Sequence, residues 1–253
     1  MASKPVILVT GGNQGLGHET LRVLARAQRY HLIVAARSQA KADEAVKNIA
    51  SETPSDATDF TAVVINLDSD ETILAAAQMV EEKFGYLDVL VNNAGINRSP
   101  NDNATLRENL RAVFETNVFG VAVMNEKFLP LIRKSTYPQR RIVTVTSGLG
   151  MFGVALTESS PYNIWKYKVP VYRSSKAAVN MLAAVDNITL QGENIPTVLV
   201  EPGYCRTAFG AFQGHKDADA GGRVIARAAV EGENRELFLR IVDDEGKFEE
   251  FGW

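Results

Sequence analysis

The chain spells Tyr-x-x-x-Lys twice within the stretch PYNIWKYKVPVYRSSKAAVNML (161–182), at Tyr162/Lys166 and at Tyr172/Lys176. On a helix this spacing puts a phenol and an ammonium on one face, one turn apart. A free phenol ionises at about pH 10, and a nearby cation favours the phenolate. A pair so placed can exchange a proton with an oxygen near neutral pH. Adding a hydride to a carbonyl needs a proton donor at the oxygen and hydrogen bonds as negative charge builds there. Ser147, at the end of RIVTVTS, offers a hydroxyl to fix that oxygen. A Tyr/Lys pair can equally abstract a proton in an elimination or isomerisation.

A second chemical feature lies near the N-terminus, in VTGGNQGLGHET. Gly11, Gly12, Gly15 and Gly17, with Asn13 and Gln14 between them, form a turn from an apolar run into a helix-like one. Glycines let backbone N–H groups approach a pyrophosphate, and the helix N-terminus adds a favourable dipole. The spacing is Gly11-x-x-x-Gly15-x-Gly17 rather than G-x-G-x-x-G. In NAD-binding folds an acid about 20 residues further on holds the ribose 2′-hydroxyl. Here the second apolar run ends in VAARS, which places Arg37 where that acid would stand. A guanidinium suits a 2′-phosphate and stacks on adenine. The expected cofactor is therefore NADP(H) rather than NAD(H).

These residues need a scaffold, and the hydropathy pattern supplies one. Continuous apolar runs, the mark of parallel strands buried on both faces, occur at Pro5–Thr10, His31–Ala36, Phe60–Leu67, Leu87–Ala94, Arg141–Ser147 and Ile195–Pro202. A weaker seventh lies at Glu236–Val242. Helical stripes fill the gaps at Gly15–Arg26, Gln39–Ser51, Asp70–Phe84, Leu106–Lys134 (with a bend near Gly120) and Ser174–Leu190. The alternation predicts one α/β domain over 1–253, doubly wound and Rossmann-type, with about seven parallel strands and helices on both faces. Ser51–Asp59 reads as a surface loop, and the polar tail DDEGKFEEFGW as a segment folded back onto the body.

Composition narrows the partners. Net charge is −3 with no basic block, which argues against a nucleic-acid or membrane-surface ligand. The densest basic spots, Arg133-Lys134 and Arg140-Arg141, read as solvated element ends. One cysteine and three scattered histidines offer no metal-ligand spacing and no internal disulfide. No signal peptide or membrane span is expected, so the expected location is cytoplasmic and the expected partner a small molecule.

The motifs TGGNQGLG (from Thr10), NNAG (from Asn92), ETNVFG around Asn117, VTVTSG around Ser147, YRSSK (from Tyr172) and PGYCRT (from Pro202) occur in one order. In that order they resemble the compact type of short-chain dehydrogenases/reductases, and the likeness runs over nearly the whole chain. It implies that Gly11, Gly15, Leu16 and Gly17 underlie the pyrophosphate and that Asp68 meets the adenine edge. Asn93, Ala94 and Gly95 would line the adenosine ribose and brace the sheet. Pro202, Gly203 and Thr207 would hold the nicotinamide carboxamide, with Cys205 in the same loop. It further implies Tyr172 as general acid/base, Lys176 as its cation and ribose ligand, Ser147 as carbonyl positioner and Asn117 as support for a proton relay.

The choice between the two Tyr/Lys pairs sets one criterion against another. Tyr162 lies fifteen residues after Ser147 and Tyr172 twenty-five, and the family it resembles usually keeps the two closer together than twenty-five. Pro170, however, ends any helix carrying Lys166, whereas Lys176 leads into a long apolar-striped helix. Local physics selects Tyr172/Lys176. The extra length, about 151–171, then becomes an insertion on the substrate side, rich in Met151, Phe152, Leu156, Tyr162, Ile164, Trp165 and Tyr167. It reads either as an apolar wall for a hydrophobic carbonyl compound or as local packing, and it leaves monomer and homo-oligomer both open. The expected activity is NADPH-dependent reduction of an apolar ketone or aldehyde. An NAD-dependent alcohol dehydrogenase and a non-catalytic cofactor-binding protein on the same fold are the alternatives.

Overall fold

Among the described residues the seven apolar runs and a strand from the polar tail form one eight-stranded sheet covered by helices on both faces. The computed structural model describes residues 4–53, 59–238 and 240–250. The strands are β1 (Val6–Val9), β2 (His31–Ala36), β3 (Asp59–Val64), β4 (Val89–Asn92), β5 (Arg141–Val145), β6 (Thr197–Val200), β7 (Arg240–Val242) and β8 (Phe248–Glu250). Their order is β3-β2-β1-β4-β5-β6-β7-β8. β1 to β7 run parallel, with Val6 opposite His31, Ile7 opposite Val89 and Val89 opposite Arg141. β8 pairs antiparallel with β7.

The helices are α1 (Gly15–Arg26), α2 (Gln39–Glu52), α3 (Asp70–Phe84), α4 (Leu106–Phe114), α5 (Gly120–Lys134), α6 (Phe152–Leu156), α7 (Pro170–Leu190), α8 (Ala218–Val230) and α9 (Asn234–Leu237). Successive strand side chains point to opposite faces. Ile7 and Val9 meet Leu21 and Leu24 of α1, Ile49 of α2 and Ile225 of α8 in one core. Val6 and Leu8 meet Ile73 and Val80 of α3 and Met124 and Phe128 of α5 in the other. The strand order reverses between β1 and β4, and the crevice beyond their C-terminal ends is where such sheets bind ligands.

The departures from the sequence expectation are local. The long helix over Leu106–Lys134 is two α-helices joined by a π-helical turn at Glu115–Phe119. Its close approach to the exit of β3 explains Gly120: a Cβ there would lie 2.5 Å from the Leu67 carbonyl oxygen. α2 runs on through Glu52, and residues 54–58 of the anticipated loop lie outside the described residues. The seventh strand is shorter than the run at Glu236–Val242, because Glu236 and Leu237 belong to α9. The polar tail supplies β8; its last three residues lie outside the described ones.

Arg141 corrects the reading of the basic pairs as solvated. Its side chain is fully buried, and among the described residues no carboxylate pairs with it. Nε donates to the Gln139 carbonyl (3.0 Å), Nη1 to those of Ala228 (3.1 Å) and Glu231, and Nη2 to that of Gly232 (2.9 Å). A helix C-terminus leaves carbonyls unpaired and carries partial negative charge, which a guanidinium satisfies with a fork of donors. Burial lowers the guanidinium to about 10, so it stays charged at neutral pH. Arg141→Met should cost about 3 kcal/mol in urea unfolding, because it strands buried carbonyls rather than removing a surface charge.

Candidate active site

The crevice is built first from backbone. Gly11 and Gly15 adopt φ of 65° and 56°, the left-handed region that favours glycine. Gly17 is required by packing: a Cβ would lie 2.4 Å from the Gly11 carbonyl oxygen and 2.5 Å from Asn93 Nδ2. α1 then starts without a side-chain cap from Gln14 and with no acid in its first turn. Among the described residues no side chain caps its first turn, and helix N-termini of this kind bind anions. Above Gly15 the nearest atoms a Cβ would meet belong to Thr207, at 3.8 Å, which leaves a cradle between the turn and the loop after β6. Gly12 packs on Leu21 and Val34, and Leu16 on Gly221 of α8.

Thr10 and Asn93 tie β1 to β4 at the mouth of the crevice. The Thr10 hydroxyl accepts the N–H groups of Asn93 and Ala94, both at 3.0 Å, and donates to the Val91 carbonyl at 3.3 Å. Asn93 Nδ2 returns a bond to the Thr10 carbonyl at 2.8 Å. Arg37 is exposed at the end of β2. Asp68, also exposed, accepts a hydrogen bond from the Thr116 hydroxyl at 2.6 Å. Asn13 lies partly buried within the turn.

Ser147, Tyr172, Lys176 and Asn117 come together beside this crevice. α7 begins with Pro170 at its first turn, so the residue that ends one Tyr/Lys pair starts the helix that carries the other. Ser147 caps a 3-10 turn, Gly148–Gly150, and accepts the Leu149 N–H at 3.2 Å. A Cβ on Gly150 would lie 2.7 Å from the backbone of Lys176, so the serine turn is pressed directly onto α7. Burial raises the Tyr172 phenol above its ordinary value, a hydrogen bond with Ser147 acts against this, and the Glu201 charge adds to the rise. Lys176 is buried, and its Nζ donates to the Val145 carbonyl at 2.8 Å and sits 5.7 Å from the Tyr172 ring centre. Burial lowers its ammonium to about 8. Asn117 sits in the π-helical turn, where Oδ1 accepts the Ile96 N–H (2.8 Å) and Nδ2 donates to the Ile96 carbonyl (2.8 Å) and to Ser175 Oγ (3.1 Å). Gly95 fits between Asn117 and Lys176: a Cβ would lie 3.1 Å from Asn117 Oδ1 and 3.9 Å from Lys176 Nζ.

The other Tyr/Lys pair does not assemble. Tyr162 lies in a turn rather than on a helix begun at Pro161, and Lys166 is exposed. The Tyr162 hydroxyl lies 3.5 Å from His215 Nε2, and its ring lies 6.0 Å from that of Tyr167. Arg173, between the members of the second pair, donates to the carbonyls of Leu149 (3.0 Å), Tyr162 and Tyr167 (2.8 Å). Buried Asn163 knits the inserted loop through the Glu158 and Ser160 carbonyls. The loop is packed inward, yet Phe152, Leu156, Trp165 and Tyr167 stay exposed.

Pro202, Gly203 (φ 82°), Cys205 and Thr207 follow β6. The Cys205 thiol is buried, donates to the Pro202 carbonyl at 3.3 Å and is held above its ordinary pKa by desolvation, which favours the unreactive thiol. Sequence reasoning passed over Phe209, whose ring centre is 5.5 Å from that of Tyr172, and His215. It also passed over Glu201, a carboxyl packed on Gly148; a charged residue closing the apolar run TVLV was the available signal.

A doubly wound sheet with a glycine turn at its switch point defines a Rossmann-type fold. The family model described as short chain dehydrogenase matches residues 5–218. The short-chain dehydrogenase anuI of Penicillium roqueforti (strain FM164) is 58% identical over 251 residues, covering 99% of this chain and 98% of that protein. Carbonyl reductase [NADPH] 1 of Mus musculus is 34% identical over 146 residues, 58% of this chain and 50% of that protein. The solved structure of NADPH-bound carbonyl reductase from chicken fatty liver superposes with a TM-score of 0.81 at 24% identity, covering 100% of both chains. The chain belongs to the short-chain dehydrogenase/reductase family and is an oxidoreductase of that family. Among the described residues no helix is long and apolar enough to cross a membrane.

Gly17→Ala is expected to weaken binding of a nicotinamide dinucleotide at least about tenfold, read by quenching of tryptophan fluorescence, since its Cβ must displace the turn by more than a flexible side chain can absorb.

Proposed function

We propose that the protein is an NADPH-dependent carbonyl reductase acting on an apolar ketone or aldehyde. The observation that carries the reading is the joint placement of Ser147, Tyr172 and Lys176 beside the glycine turn, with Asn117 behind them. NADPH, when bound, supplies a hydride, and the protein's part is to orient and polarise. Gly11, Asn13, Gln14, Gly15, Leu16 and Gly17 would hold the pyrophosphate, and Arg37 the 2′-phosphate. Asp68, Asn93, Ala94 and Gly95 would line the adenosine side. Pro202, Gly203, Cys205 and Thr207 would form the nicotinamide side.

The Ser147 hydroxyl orients the carbonyl oxygen, and the Tyr172 phenol delivers a proton there as negative charge develops. Burial holds that proton on Tyr172 until a stronger base, the nascent alkoxide, appears. The Lys176 ammonium and Ser147 then stabilise the phenolate. Asn117 holds the Ile96 backbone and Ser175 and so keeps the floor beneath Lys176 in place. The exposed side chains of Phe152, Trp165 and Tyr167 ahead of α7, and Phe209, whose ring lies beside that of Tyr172, support an apolar substrate. The likeness to NADPH-bound carbonyl reductase and the Arg37 side chain support NADPH.

A carbonyl panel followed at 340 nm with both coenzymes tests the reading: turnover with NADPH is expected, and preference for NADH overturns it. In the same assay Tyr172→Phe should lower kcat by about a thousandfold or more, while Tyr162→Phe should change mainly KM. Because Lys176 carries its charge below about pH 8 and loses it above, kcat/KM for reduction should fall as pH rises through about 8. A flat profile between pH 6 and pH 10, roughly the range spanning that ionisation, contradicts the role given to Lys176.

A further inference from the structure

Two contacts carry the turn after β6 across the mouth of the crevice, and the reaction scheme gives the first of them no part. Asn97, in the loop after β4, donates through Nδ2 to the Phe209 carbonyl at 2.6 Å. Phe209 stands in a 3-10 turn, Ala208–Gly210, that follows β6. In the sheet β5 lies between β4 and β6, and its exit leads to Ser147. The bond therefore crosses the end of β5. The second contact is the Phe209 ring itself, edge-to-face with Tyr172, with ring centres 5.5 Å apart at 61°. Phe209 is 45% exposed, so this contact leaves part of the ring open to a neighbour.

The turn is fixed within itself and at its base. The Phe212 N–H donates to the Thr207 carbonyl at 2.9 Å, and the Gln213 N–H to the Gly210 carbonyl at 3.0 Å. Ala211 and Phe212 hold φ of 50° and 60°, a region that residues other than glycine keep only where their surroundings over-determine it. At the base the His215 ring packs on Tyr204, with ring centres 5.9 Å apart, and its Nε2 lies 3.5 Å from the Tyr162 hydroxyl. The tip of the turn is tied to the opposite wall by Asn97.

We propose that Phe209 is a specificity-determining residue that selects carbonyl compounds by the length of one apolar substituent, and that Asn97 positions it. This rests on the reading of Tyr172 as proton donor to a carbonyl oxygen. A carbonyl carbon bears two substituents, and bringing the oxygen to Tyr172 lays one of them toward the ring that flanks the phenol. An alkyl or aryl group there removes the open part of the Phe209 ring from water and gains contact with it. A charged group would lose hydration against an apolar surface. Asn97 meets the backbone of Phe209 and not its ring, so it sets where that surface lies and not what it is.

The test uses the full chain, NADPH and the methyl ketones from propanone to 2-octanone. In the unsubstituted protein kcat/KM should rise with chain length. Phe209→Ala should remove at least about tenfold of the preference for 2-octanone over propanone, and Phe209→Leu should restore most of it. Asn97→Asp keeps the size of the side chain and lacks the N–H. It should remove about fivefold of the same preference and leave dinucleotide affinity unchanged. A flat series in the unsubstituted protein, or a loss by one common factor for every ketone, marks a merely structural turn and overturns the proposal. A second measurement needs no turnover and so separates this proposal from the reductase reading. In protein labelled with 4-fluorophenylalanine, the Phe209 signal is assigned by its loss in Phe209→Leu. That 19F signal should shift in Asn97→Asp and on addition of 2-octanone, but not of propanone. Equal responses to the two ketones, or none, refute the role of Phe209. A selective response with no turnover by either coenzyme removes the reductase reading instead.

Discussion

The crevice depends on one side-chain knot, the exchange of hydrogen bonds between Thr10 and Asn93 at the point where the strand order reverses. β1 and β4 diverge there, and their outgoing backbones would otherwise leave donors and acceptors without partners. One hydroxyl satisfies two N–H groups, and one carboxamide closes the loop back to the Thr10 carbonyl. The glycine turn then packs on that junction so closely that Gly17 and Asn93 tolerate no added atom between them. The position of α1, and so of its first turn, follows from this contact.

The side that carries Ser147, Tyr172 and Lys176 is fixed by a parallel logic. The serine turn touches α7 through Gly150, Lys176 reaches back to the Val145 carbonyl, and Thr146 donates to Asn180 on the same helix. β5 and α7 are thereby locked in register by contacts on both sides of Ser147. The π-helical turn adds the third wall. Its widened hydrogen bonding frees Asn117 to address the Ile96 backbone instead of solvent.

Most of the fold was legible because buried parallel strands write themselves as apolar runs, and seven of the eight strands were found that way. β8 was not, because Phe248–Glu250 is a short polar edge strand held by pairing with β7 rather than by its own pattern. Arg141 was misread for a related reason: neighbouring residues on a strand point in opposite directions, and sequence alone does not say that a helix end waits over one of them. The two Tyr/Lys pairs separated correctly as local structure because proline has positional meaning: Pro170 stands at the start of α7. Glu201 and His215 stayed hidden because their significance lies in neighbours far along the chain.

Arg173 holds the segment ahead of α7 through backbone oxygens, those of Leu149, Tyr162 and Tyr167. A clamp that grips carbonyls is blind to side-chain identity. The side chains of that segment can therefore be exchanged while its path is retained. The loop behaves as a replaceable cassette on a constant mount, and the mount is part of the helix that carries Tyr172 and Lys176. Substitutions in the cassette leave the mount, and with it the placement of Tyr172 and Lys176, undisturbed.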